Sequence, residues 1–380
     1  MKRSTKLISL LLAVLMIAAL LPTAALADDA DTQSIGDTVG SVVDTVNGIK
    51  LPTYLVYCSL MSKLPASGAQ VTLTNNLTGE ASTYTANLLG LALIPKSIVG
   101  VYTVAATCDG PISGIKYSTL PGIKWSFSAK FDSDKLILYP MLNIGLNYTD
   151  HFAYMIGYKD GTVRPNANIT RAEVATILYR LMTPETRAKF QSTTSSLKDI
   201  NANSWCNKEV CTLVKAGVIS GYNDGYFRPN KNVTRAEFSA MIARLFSVSY
   251  VGNNKFEDLN GHWAESYMNL LAKLGILNGD ANGNANPDDL LTRAQTAALC
   301  NRLVGRNSTS SSMNGCTGVK GWPDNANSAW YYADILEATN AHNYTWTLNV
   351  KNVVSGEFVV TEQWTNIRTC LLYTSPSPRD

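Results

Sequence analysis

The chain has 380 residues, of which 46% are apolar and only 16% charged, and 32 Lys and Arg against 29 Asp and Glu leave a net charge of +3. That balance excludes a polybasic nucleic-acid binder and an acidic solvating tail, and 18 Tyr with 7 Trp exclude a mainly disordered chain. Three His are few for a zinc enzyme, and the length suits two or three domains.

The N-terminus has the pattern of a secretory leader. Met1-Lys2-Arg3 and Lys6 are basic, Leu7 to Leu21 is almost wholly apolar, and Ala25-Leu26-Ala27 is a small-residue cleavage site. Residues 1–27 are therefore expected to be removed, with 28–49 as a linker. No later segment is apolar over the roughly 20 residues a membrane helix needs, so no membrane partner is expected after cleavage. Export permits disulfides. Setting aside Cys370 leaves Cys58, Cys108, Cys206, Cys211, Cys300 and Cys316. Cys58 and Cys108 share one module and could pair. Cys206 and Cys211 lie five apart on an expected helix and point apart. Buried thiols with at most one bridge are the expectation.

Residues 50–147 carry strand patterns. Val71–Thr74 alternates apolar and polar, and Ser82–Thr85, Leu91–Ile94, Gly100–Thr107, Trp125–Phe131 and Leu136–Tyr139 follow between turn-forming residues. Short strands with regular turns predict a small antiparallel β-sandwich. The succession Gly68-Ala-Gln-Val-Thr-Leu-Thr74, Thr78-Gly79-Glu80, Leu89-Gly90 and Gly100-Val-Tyr-Thr-Val104 resembles the prealbumin-like, Cna-B-type modules of bacterial surface proteins. No Lys–Asn isopeptide trio is identifiable beside it. Leu64-Pro-Ala-Ser-Gly68 lies mid-chain without a following apolar helix and is expected to be a loop rather than a sorting signal.

Internal repeats follow. Gly157-Tyr-Lys-Asp-Gly-Thr-Val-Arg-Pro-Asn166 precedes Thr170-Arg-Ala-Glu173, and Gly221-Tyr-Asn-Asp-Gly-Tyr-Phe-Arg-Pro-Asn230 precedes Thr234-Arg-Ala-Glu237. Gly279-Asp-Ala-Asn-Gly283 precedes Thr292-Arg-Ala-Gln295. Each Thr is an expected helix N-cap, and Glu173, Glu237 and Gln295 complete capping boxes. Apolar stripes follow at helical spacing: Val174, Ile177, Leu178, Leu181; Phe238, Met241, Ile242, Leu245; Leu299, Cys300, Leu303. Upstream, Asp199 and Trp205, then Asp258 and Trp263, lead into helices that end at Gly217 and Gly275, suited to left-handed caps. Ser/Thr-rich stretches at 192–196 and 307–312 read as linkers.

These motifs resemble S-layer homology repeats. The resemblance implies noncovalent attachment to an acidic secondary cell-wall polysaccharide of Gram-positive-type bacteria. The units are 148–182, 198–246 and 255–305, with a terminal half-unit at 321–345 that carries Asp324 and Trp330. Unit one lacks a Trp-led first helix and the half-unit has only that helix, so the two are expected to pack together. That would close an all-α, pseudo-three-fold bundle and make the chain an α+β multidomain protein. The resemblance places glycan binding between units, on Arg171, Arg235 and Arg293, Asp199, Asp258 and Asp324, and Trp205, Trp263 and Trp330. Arg suits a carboxylate and Trp a sugar face. Alternatively the arginines are solvated first-turn residues and the tryptophans core. Unit three departs from the pattern, so its groove is expected to be degenerate. Its Asp280-to-Asp288 loop mimics a calcium loop, but Ala285 and Leu291 stand where Gly and Glu are required, and a polar turn is expected.

Residues 346–369 alternate weakly and suit a small hairpin. Residues 370–380 resemble a translated sequencing adapter and are set apart from the fold, with the natural C-terminus expected to be missing. Nucleophile-elbow, zinc-protease and phosphate-loop motifs are absent, and His151, His262 and His342 are scattered and expected to cap or pack. No cofactor, metal or catalytic residue is therefore expected. The leading reading is a secreted surface protein, not an enzyme. An anchored adhesin, or an anchored enzyme with its catalytic part cut away, are the alternatives.

Overall fold

The computed structural model describes residues 53–369, excepting 61–64, 89, 96–97, 99, 111–115, 120–122, 127–134, 141, 143, 247–249, 251, 307 and 353–356. The leader, the linker and the tail 370–380 lie outside the described residues. An N-terminal β region and a helical C-terminal region make the chain α+β. They form two compact units, one holding strands β1–β8 and the other the helices with the base of a C-terminal hairpin.

The β unit comprises β1 (Thr53–Leu60), β2 (Gln70–Asn75), β3 (Ala81–Thr85), β4 (Leu91–Pro95), β5 (Val101–Asp109), β6 (Lys116–Ser118), β7 (Ile123–Ser126) and β8 (Lys135–Pro140). Hydrogen bonds join them in one path, β3-β2-β5-β6-β8-β1-β4, with β7 also on β5. Alternation sets the faces: Val71 and Leu73 of β2, and Val104, Ala106 and Cys108 of β5, point into the core. The expectation of a wholly antiparallel sandwich is corrected at one pair. β1 and β8 run parallel, with Cys58 opposite Leu136 and Leu60 opposite Leu138. All four are buried. Parallel neighbours need a long connection, and β2–β7 are that connection. Of the expected Trp125–Phe131 strand, Trp125 and Ser126 belong to β7, and residues 127–131 lie outside the described residues. The six described cysteines are free, so no bridge joins Cys58 and Cys108. Burial pushes the Cys58 thiol up to about 12 and the Cys108 thiol up to about 11, which makes them inert packing groups.

The helical unit contains α1 (Arg171–Leu181), α2 (Pro184–Phe190), α3 (Asn207–Lys215), α4 (Arg235–Ala243), α5 (Glu265–Lys273), α6 (Arg293–Leu303) and α7 (Tyr332–Thr339). Hairpin strands β9 (His342–Asn352) and β10 (Glu357–Ile367) follow. Thr170, Thr234 and Thr292 cap α1, α4 and α6, each in a reciprocal box with Glu173, Glu237 or Gln295. The three stripes read from the sequence are buried. Gly217 and Gly275, just past α3 and α5, have φ of 75° and 72°, the left-handed region where glycine is favoured.

The segments before the three capping threonines bond to one another in a closed cycle. Val233 N–H donates to Ile169 O (3.0 Å), Ile169 N–H to Leu291 O (3.0 Å) and Leu291 N–H to Val233 O (2.9 Å). The terminal half-unit bonds to unit one: Tyr154 and Met155 N–H both donate to Ala338 O of α7. Trp322 lies so close to Gly157 that a Cβ there would sit 2.1 Å from its ring, which explains the glycine.

Candidate functional site

Helix N-termini leave backbone N–H groups without partners inside the helix. Here the next unit supplies them. Ala172, Ala236 and Ala294 N–H donate to Pro229, Pro287 and Pro165 O, respectively. The arginine preceding each alanine reaches into the same loop. Arg171 Nε donates to Phe227 O (2.7 Å) and Nη2 to Ser220 O (3.1 Å). Arg235 repeats this with Ala285 O (2.7 Å) and Asn278 O (3.1 Å), and Arg293 with Val163 O (2.8 Å) and Ile156 O (2.7 Å). Each guanidinium therefore brackets its neighbour's Gly-rich loop. Arg171 and Arg293 are 4% and 1% exposed, so neither is a solvated first-turn residue.

The three aspartates hold the far side of each loop. Asp199 accepts from Phe227 and Arg228 N–H (2.7 Å each), Asp258 from Ala285 (2.9 Å) and Asn286 (2.6 Å), and Asp324 from Val163 (2.9 Å) and Arg164 (2.6 Å). Arg228, Asn286 and Arg164 are the only non-glycine residues with positive φ among those described, at 59°, 50° and 49°. The carboxylates thus pin the one strained residue of each loop. Asp199 and Asp258 act within their own units, whereas Asp324 completes unit one from the terminal half-unit.

The tryptophans lie just before the first helices. Trp205 is half-buried, while Trp263 and Trp330 are 58% and 64% exposed, which removes core packing as their explanation. Trp205 lines a small open pocket with Ile156, Glu173, Thr176, Arg180 and Arg293, so residues of three units share one hollow. Tyr158 flanks Arg293, as Tyr222 flanks Arg171, with each guanidinium carbon 5.2 or 4.6 Å from the ring centre.

Burial lowers all three guanidinium pKa values below the usual one, though Arg stays protonated. Arg171 Nη1 lies 3.7 Å from Glu237, but among the described residues no carboxylate comes within ion-pair distance of Arg235 or Arg293. Asp289, Asp258 and Asp280 act on Arg235, and Asp324 on Arg293, only through longer-range attraction. Burial raises the Glu237 carboxyl, but Tyr222, Lys231 and Arg171 outweigh it and hold the carboxyl below its usual range. In unit three, Asp280 accepts from Asn282 and Asn284 N–H and from Asn286 Nδ2, which accounts for its oxygens as turn acceptors.

Two of the three scattered histidines do come together. His151 and His342 meet Glu337 and Glu362 in a buried cluster in the helical unit, which no sequence spacing signals.

The S-layer homology domain model matches residues 153–175, 196–239 and 255–297. The chain is 33% identical over 208 residues to Cell surface glycoprotein 1 of Acetivibrio thermocellus, covering 51% of this chain and 9% of that protein. It is 29% identical over 211 residues to the Cellulosome-anchoring protein of the same organism, covering 54% and 46%. It is 31% identical over 156 residues to the S-layer protein of Bacillus licheniformis, covering 40% and 17%. The chain thus spans less than half the length of each of these relatives. Among the described residues no helix is long and apolar enough to cross a membrane.

Proposed function

The chain is an S-layer homology repeat protein of the cell surface, and from that premise we propose that its repeat region holds it noncovalently on an acidic secondary polysaccharide of the cell wall. Residues 148–345 are the anchor and residues 50–147 the displayed or spacing module. The anchor is a pseudo-three-fold bundle closed by the terminal half-unit, and the protein works by retention rather than by catalysis. The observation that carries this is the repeated groove corner: an arginine, buried in two units and half-buried in the third, bracketing the next loop, with an indole at the mouth of a following first helix. The guanidinium supplies positive field for a carboxylate-bearing sugar, and the exposed indoles offer flat faces to sugar C–H surfaces. The aspartates act first on the loops and present the grooves rather than reach far into them.

Because the arginines and aspartates also hold the fold, the exposed tryptophans give the cleaner test. Full-length protein is incubated with purified wall sacculi, before and after extraction of their accessory glycan. Retention is expected only before extraction. Trp263→Ala and Trp330→Ala should each weaken it roughly tenfold, the usual loss for a stacked aromatic anchor. Retention unchanged by extraction, or by both substitutions, refutes the reading.

A further inference from the structure

The His–Glu cluster lies outside the grooves. Its members come from four separate segments: His151 at the start of unit one, Glu337 in α7, His342 at the start of β9 and Glu362 in β10. Both glutamates are 0% exposed. His151 Nδ1, His342 Nε2 and Glu362 Oε1 form a triangle with every side 3.1 Å. Glu337 closes the fourth side with two different oxygens, Oε1 3.2 Å from His151 Nδ1 and Oε2 3.4 Å from His342 Nε2, and one ligand atom from each of the four residues lies within 4.8 Å of the others.

Those separations bracket a cation centre's, with the triangle slightly tighter and the spread to Glu337 wider. Ligand bonds of about 2.0–2.2 Å in tetrahedral geometry set the ligand atoms about 3.3–3.6 Å apart. The ring orientation agrees. His342 Nδ1 faces Asn340 O at 3.1 Å. A carbonyl only accepts, so Nδ1 donates there and Nε2 is the nitrogen turned to the cluster. That nitrogen faces another imidazole nitrogen and two carboxylates. Glu362 Oε2 is buried with no hydrogen-bond partner among the described residues, an independent sign that something beyond the chain's own donors belongs here. The surroundings suit a fixed ion. Ser308 Oγ donates to Glu337 Oε2 and lies 3.3 Å from Glu362 Oε1, while Trp364 Nε1 donates to Ser308 Oγ (3.0 Å). Arg306 Nη1 lies 3.4 Å from Glu337 Oε1. Tyr344 stacks on His151 and Trp364 on His342, with ring centres 3.9 and 3.8 Å apart.

We propose that His151, Glu337, His342 and Glu362 form a closed, structural site for a divalent transition cation, zinc by the chemistry of two imidazoles and two carboxylates, which staples the entrance of unit one to α7 and to the hairpin. Four protein ligands leave no position for substrate.

The test uses the full chain, stripped with EDTA and dialysed. It is titrated with Zn2+ against a chromophoric chelator, and separately with Co2+ while visible absorption is followed. One equivalent of zinc, a higher melting temperature with zinc than with EDTA, and an intense tetrahedral Co2+ band without thiolate charge transfer are expected. Glu362→Gln keeps the side chain's shape and should weaken zinc binding at least tenfold. Three results overturn the proposal: no uptake by the folded chain at micromolar zinc, a thiolate charge-transfer band that places the ion on cysteines, or wild-type affinity in Glu362→Gln. Where Glu362→Gln fails to fold, the wild-type stoichiometry and cobalt spectrum decide alone. Two doubly protonated imidazoles neutralising two carboxylates is the competing arrangement, and it takes up no metal.

Discussion

At the junction of units one and two, Arg171 lies against Tyr222, and Glu237 accepts from Tyr222 Oη (2.6 Å) and Lys231 Nζ (3.1 Å). At the junction of units two and three, Asp280 replaces the tyrosine and Gln295 the glutamate, so the aromatic lining and the carboxylate are both gone. Yet Arg235 makes the same two bonds to loop carbonyls as Arg171, at the same distances of 2.7 and 3.1 Å. The bracket depends on backbone carbonyls, which any sequence supplies. The mouth depends on side chains, which have changed. The loop bracket and the lining of the mouth are therefore separable in this repeat. Unit three, whose loop lacks Arg-Pro-Asn, keeps the first in full.

That equivalence can be broken. Arg171→Met and Arg235→Met each strand two loop carbonyls and should each cost about 3 kcal/mol. Urea unfolding of the full chain measures this, and a cost below about 1 kcal/mol at 235 alone would show that the two brackets differ. The closing junction extends the comparison. Gly157→Ala drives a methyl into the Trp322 ring and should cost about 2 kcal/mol by overpacking. An unchanged melting temperature would mean that the half-unit adds nothing to unit one. Thr234→Ala and Thr292→Ala should each cost about 1 kcal/mol, because Gln295 closes its box as Glu237 does. A smaller loss at 292 would show that the charge matters. The smallest effect is with pH. The Glu237 carboxyl is held below its ordinary value of 4.5, so its stabilisation is present above that pH and is lost as pH falls through the folded-state value. Glu237→Gln should flatten the acid limb of the melting profile, while Gln295→Ala should leave its slope unchanged.

The capped helices were legible because capping is local: Thr and Glu three residues apart announce a helix whatever surrounds them. Helix α2 was not, because none of its residues is buried and so no apolar stripe marks it. Strand β6 has three residues, too few for an alternating pattern. The parallel pairing of β1 with β8 joins distant segments, and periodicity carries no information about partners. Between the units, the residue types named from the motifs meet at the Gly-rich loops, where Arg171, Arg235 and Arg293 hold carbonyls and Asp199, Asp258 and Asp324 hold amides. A motif shows charge and spacing, not which atoms are already engaged. The histidines read singly as packing residues because their shared neighbours, Glu337 and Glu362, lie far along the chain from His151.

Asp324 completes a loop that was synthesised 161 residues earlier. In a chain made N-terminus first, unit one is synthesised early, but its Arg164 N–H lacks this acceptor until residue 324 follows. Linear helical arrays can settle one repeat at a time. This arrangement cannot settle wholly in that order, because an early loop is finished by a late segment. A chain halted before residue 324 would therefore leave its first loop unfinished rather than its last.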